Sequence, residues 1–306
     1  VRMSLISLNL SKALLVVAIV TSFKFVDVFL TQFQEFAVSK CQSKPNIPSP
    51  SKIGIQMNSE TYESIKTISV LSVKTNKYSP IQRIWTPRSG KKVIVAFLPH
   101  FGALNAWEYA QRLLHNFPIF ELNNVQIVVI GIGTIEGARE FAREIGFPYD
   151  KLFVDEEGTL YEKLGFSKGF GDKTPLNPLL KLFPMLAGIG SPGTVQEVLR
   201  GYVGDKDAEN AWIYSNLRLL PPDASGSEDN QKEGQKPLEL ASLRLQNTVQ
   251  ILGKWNKLLP PNKHLVTQQG GTVIFDGKNK IYQYKDLEIL KYTPINEVLD
   301  AIITTE

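Results

Sequence analysis

The sequence predicts an α/β fold, in which helices pack against a buried sheet. Two apolar runs, KKVIVAFL (residues 91–98) and VQIVVIGIG (residues 125–133), are typical of strands buried on both faces of a parallel sheet. Each run is followed by a segment whose apolar residues recur at helical spacing. Strands that alternate with helices imply a layered sheet with right-handed crossovers. With 306 residues, of which 43% are hydrophobic, the chain is long enough to bury such a core.

The first half of the chain continues this pattern. TISVLSV (residues 67–73) alternates as a strand should, and the first long helix is predicted over about residues 103–115. The second helix has Thr134 as its expected N-cap and Gly137 as an unfavourable interior residue. KLFVDEEGTLYEKLGF then adds a short strand, an acidic turn and a short helix that ends at Gly165.

The regular alternation stops between residues 167 and 266, which we interpret as an insertion. Thr194 and Glu197 stand in capping-box register and predict a helix start. The polar stretch at residues 221–237 predicts an exposed loop. LELASLRLQNTVQILGKWNKLL (residues 238–259) predicts one helix of about six turns.

Two elements are predicted after the insertion. GGTVIFDGKNKIYQYKD (residues 270–286) predicts a hairpin that turns at Gly-Lys-Asn. TPINEVLDAIITT (residues 293–305) predicts a closing helix with Thr293 as its cap. The folded body is therefore expected to span residues 64–306, with the insertion inside it.

The N-terminal segment, residues 1–40, differs in composition from the rest. Its first 26 residues contain no acidic residue, and its most apolar run, at residues 13–23, is shorter than the ~20 residues that a membrane-spanning helix needs. Three interpretations stay open: a removable targeting peptide, an interfacial membrane helix, or an apolar arm that docks on a partner. We favour attachment to a membrane or a partner, through a linker at residues 41–63 that is rich in proline and serine.

Charge and cysteine usage exclude several classes of function. The 34 basic and 30 acidic residues give a net charge of +4, which is too small and too evenly mixed to indicate nucleic-acid binding. A lone cysteine, Cys41, excludes an intramolecular disulfide and a cysteine-based zinc site. The three histidines lie far apart in sequence and show no metal-ligand spacing. We therefore expect neither a metal nor a cofactor.

Three stretches carry a family resemblance. HFGALNAWEYA, VVIGIGTIEGAREFAREIGFPYDKLFVDEEGTLYEKLGF and QQGGTVIFDGKNKIYQYKD together resemble the peroxiredoxin-like 2 branch of the alkyl hydroperoxide reductase and thiol-specific antioxidant (AhpC/TSA) superfamily. The resemblance implies a thioredoxin-like fold, and it covers about residues 67–164 and 267–303. The insertion looks like that of the longer members found in cyanobacteria and chloroplasts.

The resemblance breaks at the redox site. Redox-active relatives carry a Cys-x-x-Cys pair at a helix N-terminus, where free N–H groups and the helix dipole lower the thiol pKa from ~8.5. Carried over by position, the pair falls on Ala103 and Ala106. No Pro-x-x-x-Thr-x-x-Cys pattern is present, and the family's proline before the hairpin is replaced within TQQGG (residues 267–271). A catalytic role for Cys41, far ahead in sequence, is the less favoured interpretation.

Other residues near this site have alternative interpretations. His100 and Glu108 flank the alanines, and we interpret His100 as a packing or hydrogen-bonding residue. An emptied site lined by His100, Phe101, Ala103 and Trp107 would be a possible ligand or partner pocket.

Two glycine-rich turns and the tryptophans also invite a functional reading. GIGTIEG (residues 131–137) invites a dinucleotide-binding interpretation, but its glycine spacing favours a tight turn. GIGSPGT (residues 188–194) could present N–H groups to an anion or simply form a sharp corner. The four tryptophans are expected to be core or interface anchors.

These observations predict a non-catalytic, thioredoxin-fold protein that works by binding. The expected partner is a protein, such as a membrane-embedded photosynthetic complex at a cyanobacterial or plastid thylakoid, and residues 1–40 are expected on the membrane surface. A soluble protein of the cytoplasm or stroma is the alternative location. The alternative functions are a peroxiredoxin-like oxidoreductase using Cys41 or a partner's thiol, and a small-ligand carrier.

Overall fold

The structure is a computed structural model that describes residues 59–88, 90–169, 185, 191, 193–218 and 234–303. Several predicted features lie outside the described residues: the N-terminal arm, Cys41 and most of the predicted polar loop. Of GIGSPGT, only Ser191, Gly193 and Thr194 are described. Within the described part, the strands are β1 Ser69–Ser72, β2 Tyr78–Pro80, β3 Lys92–His100, β4 Gln126–Ile132, β5 Leu152–Val154, β6 Asp205–Glu209, β7 Gly234–Gln235, β8 Gly271–Asp276 and β9 Asn279–Lys285.

The helices are numbered in the same way along the described residues. They are α1 Glu60–Ile65, α2 Ile81–Ile84, α3 Leu104–His115, α4 Phe117–Leu122, α5 Ile135–Ile145, α6 Thr159–Leu164, α7 Thr194–Val203, α8 Ala211–Tyr214, α9 Glu239–Gly253, α10 Trp255–Leu258 and α11 Ile295–Ile303. In the part of the chain that the structure describes, no helix has the length and hydropathy required to cross a bilayer.

A mixed sheet of the order β2-β1-β5-β4-β3-β8-β9 forms the centre of the fold. Strands β3, β4 and β5 are parallel, whereas β8 pairs antiparallel with β3 and forms the predicted hairpin with β9. Alternate residues of β3 enter separate hydrophobic clusters, with Ile94 in one and Val93 in the other. Both faces of the sheet are therefore covered, which explains why β3 is a continuous apolar run.

Several local predictions are confirmed and others are wrong. Thr134 caps α5, because its hydroxyl oxygen accepts a hydrogen bond from Gly137 N at 3.0 Å. Thr194 is not a cap: it is the first residue of α7 and its hydroxyl donates to Ile289 O, while Gly193 takes the cap position. Thr293 does not cap α11 either, since its buried hydroxyl accepts a hydrogen bond from Thr272 at 2.9 Å.

The extent of two segments also differs from the prediction. The helix predicted over residues 238–259 is two helices, because the chain leaves helical geometry at Lys254, directly after Gly253. At the N-terminal end of the described residues, Tyr62 and Ile65 of α1 are buried in the core. The folded body therefore begins before residue 64, inside the stretch that we assigned to the linker.

Candidate functional site

The predicted redox turn has the expected backbone geometry. Strand β3 ends at His100, and α3 begins at Leu104 with Ala103 in extended conformation at the cap position. Ala103 N donates to His100 O at 2.9 Å, and Ala103 O accepts from Ala106 N at 3.1 Å. The junction is thus a strand, a tight turn and a helix N-terminus, the arrangement in which a thiolate would be stabilised.

The two side chains at this N-terminus are methyl groups. Ala103 is partly exposed, and Ala106 is fully buried in the first turn of α3. No side chain caps the helix. At Ala103 and Ala106 the helix N-terminus therefore carries side chains that can neither ionise nor act as a nucleophile.

Phe101 and Trp107 fill the space behind the turn. Both side chains are fully buried and pack against Phe141, with ring centroids 5.2 Å and 5.9 Å away. Trp107 Nε1 donates to Phe101 O at 2.8 Å. Because these rings form part of the core, a ligand in a pocket lined by them would have to displace this packing.

The same ring explains the glycines of GIGTIEG. A Cβ atom at Gly131 would lie 2.4 Å from the Phe101 ring, and one at Gly137 would lie 2.5 Å from Lys257 O. The first glycine makes room for an aromatic side chain and the last for the backbone of α10. Close packing, rather than a phosphate, accounts for their presence.

His100 is buried at the end of β3. Its Nδ1 accepts a hydrogen bond from Gly102 N at 3.2 Å, and its ring meets the edge of Trp255 with centroids 6.3 Å apart. Burial lowers the pKa of His100 to about 4, although a hydrogen bond with the Val266 backbone acts in the opposite direction. The imidazole is therefore neutral at neutral pH, and it accepts a hydrogen bond from the backbone of the turn.

The insertion closes the turn from outside. Leu258 of α10 is buried, and its Cβ lies close to Gly102: a Cβ atom added at Gly102 would be 3.4 Å from it. Trp255 lies beside His100, as described above, and Leu258 packs into the same hydrophobic cluster as Ala106. The insertion thus packs against the turn at His100 and Gly102, while Ala103 stays partly exposed.

Buried polar pairs hold the insertion on α3. The Glu108 carboxylate accepts from Arg244 Nε at 2.7 Å and from Arg244 Nη2 at 3.1 Å. One turn along both helices, the Gln111 and Asn247 amides exchange two hydrogen bonds at 3.2 Å and 3.0 Å. Burial disfavours the charged guanidinium, but Glu108 outweighs this effect and raises the pKa of Arg244. The polar face of α3 is therefore an internal contact with α9.

Sequence reasoning missed this contact. It singled out Glu108 only as a neighbour of the vanished redox pair, and it did not single out Arg244. The available signal was the matching spacing of charged and amide residues, at positions 108 and 111 of one helix and 244 and 247 of the other. Such spacing shows which residues share a face, but not which helix that face contacts.

The segment TQQGG, residues 267–271, runs beside the turn without a proline. A Cβ atom at Gly270 would lie 2.0 Å from Phe97 O, so that no side chain fits there. Gly270 O accepts a hydrogen bond from Asp286 N at 3.0 Å. Asp286 is itself buried, and its Oδ1 has no hydrogen-bond partner. This segment is therefore packed backbone rather than the wall of an open site.

The remaining predictions concern metals and tryptophans. Trp85, Trp107 and Trp212 are buried, as expected of core anchors, while Trp255 is partly exposed. Across the described ranges, no group of three or more histidine, cysteine, aspartate or glutamate residues is placed to hold a metal ion.

Comparison with known proteins agrees with this fold. The AhpC/TSA antioxidant enzyme family matches residues 112–288, which is more than half of the chain. The matched region begins after Ala106, so it supports the family fold without including the two alanines.

One relative, "Thioredoxin-like protein AAED1, chloroplastic" from Arabidopsis thaliana, is 30% identical over 116 residues. The aligned region covers 38% of this chain and 45% of that protein, so the chain spans less than half the length of this relative.

Proposed function

The chain belongs to the AhpC/TSA antioxidant enzyme family, and from that premise we propose that it acts as a non-catalytic binding subunit. The observation that carries the proposal is the state of the α3 N-terminus. Ala103 and Ala106 stand where the family resemblance implies the redox pair, and α10 packs against the turn at His100 and Gly102. The scaffold of the family is kept while the group that would react is missing.

Thiol peroxidase chemistry has a strict requirement at this place. A thiolate sulfur must attack the peroxide oxygen, and a second thiol must then reduce the oxidised sulfur. The methyl groups of Ala103 and Ala106 can do neither. A thiol supplied by a partner would have to reach the same N-terminus, where Trp255 and Leu258 lie. These two facts favour a binding role over an enzymatic one.

We further propose a plastid or cyanobacterial location at the thylakoid membrane, on a photosynthetic complex. Two observations support it: the relative is described as chloroplastic, and residues 1–40 are apolar and poor in acidic residues. A segment of this composition suits an interfacial helix or a docking arm. The folded body would then be held at the membrane surface.

Fractionation of photosynthetic cells that express the tagged full chain tests this proposal. We expect the protein in the thylakoid fraction and, on a native gel after mild detergent, at the size of a large complex. A matched chain that lacks residues 1–40 is expected in the soluble fraction. The proposal fails if the full chain is entirely soluble and migrates at the size of the free protein.

A further inference from the structure

Helix α9 is apolar on two opposite faces. Leu240, Leu243 and Ile251 are buried against the body, as expected of its inner face. Leu245, Val249 and Leu252 lie at i, i+4 and i+7 on its outer face, and each is about half exposed. The outer arc between them holds only Ala241, Ser242 and Thr248, and no charged residue. A surface helix of a soluble protein ordinarily presents a polar face to water.

Helix α7 extends this apolar surface. Its backbone faces α9: Gly201 lies next to Ala241, and Glu197 O accepts a hydrogen bond from Arg244 Nη1 at 2.7 Å. At its end, Tyr202 and Val203 are exposed. Leu238 N donates to Tyr202 O at 3.1 Å, so the exposed residues of the two helices are neighbours.

We call the resulting patch the outer surface of the insertion. It consists of Tyr202, Val203, Leu238, Leu245, Val249 and Leu252, whose exposed fractions lie between 40% and 69%. Six such side chains expose on the order of 500 Å² of apolar area, which is the size of the largest patch on an ordinary soluble monomer, and such patches are often functional.

We propose that two copies of this chain associate through the outer surface, with α9 antiparallel to α9 of the second copy. Leu252 of α9 and Leu238, the left-handed cap residue directly before α9, stand seven residues after and before Leu245. Antiparallel pairing centred on Leu245 places Leu238 opposite Leu252 of the second copy. It also places the small Ala241 opposite the larger Val249, so that side chains can interdigitate.

Charge and area both suit a second copy. A twofold interface brings each residue near its own equivalents, so like charges would face each other if the patch carried any. The outer arc of α9 carries none. Two patches together would remove on the order of 1,000 Å² from water, the lower limit for a specific interface. Because the area is at this lower limit, we expect a weak dimer and test for it in the micromolar range.

Sedimentation velocity of the full chain across the micromolar range tests this proposal. We expect a concentration-dependent dimer that Leu245→Glu weakens at least tenfold, because two carboxylates would then meet at the axis. Leu122→Glu is the matched control, since Leu122 of α4 is not part of the outer surface of the insertion and is 86% exposed. Circular dichroism and the melting temperature should be the same for both variants and the wild type.

Disulfide trapping gives a second readout that does not depend on weakening the dimer. In a Cys41→Ser chain, Leu245→Cys should yield a covalent dimer with a mild thiol oxidant, and Leu122→Cys should not. A mixture of Leu238→Cys and Leu252→Cys chains should give a mixed dimer if the helices are antiparallel.

Three outcomes would overturn the proposal. The first is a monomer at every concentration, and the second is a dimer that Leu245→Glu leaves intact. The third is a monomer that binds vesicles of anionic lipid through Leu245, which would assign the outer surface to a membrane.

Discussion

Removing one partner of the ion pair between Glu108 and Arg244 should strongly destabilise the contact between the insertion and α3. Glu108 is fully buried and Arg244 nearly so, and two short hydrogen bonds join them. Arg244→Met keeps most of the side-chain length but removes the charge and the donors. The carboxylate of Glu108 then stays buried without a counter-charge, which costs about 3–5 kcal/mol of unfolding free energy.

The opposite substitution should cost less. Glu108→Gln keeps an acceptor for Arg244, and the guanidinium retains Glu197, whose carboxylate lies 3.8 Å away. A loss of about 1–2 kcal/mol is expected. In the double variant neither charge remains, so its loss should be smaller than the sum of the single losses by about 2–3 kcal/mol.

Urea unfolding of the four proteins, followed by tryptophan fluorescence, measures these free energies. Lys168→Met is the matched control, because its pair with Glu162 spans 3.2 Å but is largely exposed, and its loss should stay below about 1 kcal/mol. A loss for Arg244→Met no larger than that of the control, or strictly additive single losses, would refute the reasoning.

Three further predictions concern buried groups near the turn. Gly137→Ala should destabilise the fold, because the added Cβ would meet Lys257 O. This holds although alanine is usually about 1 kcal/mol more favourable than glycine inside a helix. Gly253→Ala should not destabilise the fold, because nothing lies within contact distance of its added Cβ. The pKa of His100 is about 4 in the folded protein and about 6.5 in the unfolded chain. The contribution of the neutral imidazole to the unfolding free energy is therefore fully present above pH 6.5, and about 3 kcal/mol of it is lost by pH 4. Denaturant titrations at several pH values should show a flatter pH dependence for His100→Asn. Burial raises the pKa of Asp286, so the unfolding free energy falls as pH rises and the unfolded chain loses this proton first. Asp286→Asn should therefore raise the unfolding free energy at pH 7 by about 1–3 kcal/mol, and by less at pH 4.

Each of these predictions has a contradicting result. For the glycines it is an equal effect of both alanine substitutions on the urea midpoint. For His100 it is a wild-type stability that does not change between pH 6.5 and pH 4. For Asp286 it is a lower unfolding free energy for the asparagine variant at pH 7 than for the wild type.

The parts of the fold that depend on local pattern could be predicted from the sequence. Strands β3 and β4 are continuous apolar runs, and the hairpin is marked by its glycine turn. Thr134 precedes an amphipathic segment and caps it, as expected. In each case the residues that determine the structure lie within a few positions of one another, so that periodicity and capping rules are sufficient.

The parts that depend on distant contacts could not be predicted in this way. Thr194 and Thr293 have the residue type of helix caps, yet their hydroxyls bond to Ile289 O and Thr272 across the fold. Gly137 looks unfavourable in a helix until α10 is placed against it. The packing of α10 against His100 and Gly102, more than a hundred residues earlier in the chain, leaves no mark in the local sequence. Tertiary packing decides these features.

The central claim, that this chain does not act as a thiol peroxidase, is tested most directly by peroxide consumption. The purified full chain is incubated with hydrogen peroxide and a thiol donor, in parallel with Cys41→Ser and with buffer alone. We expect the same background rate in all three, because Ala103 and Ala106 supply no nucleophile. Turnover above background that Cys41→Ser abolishes would contradict the claim and make this chain a peroxidase.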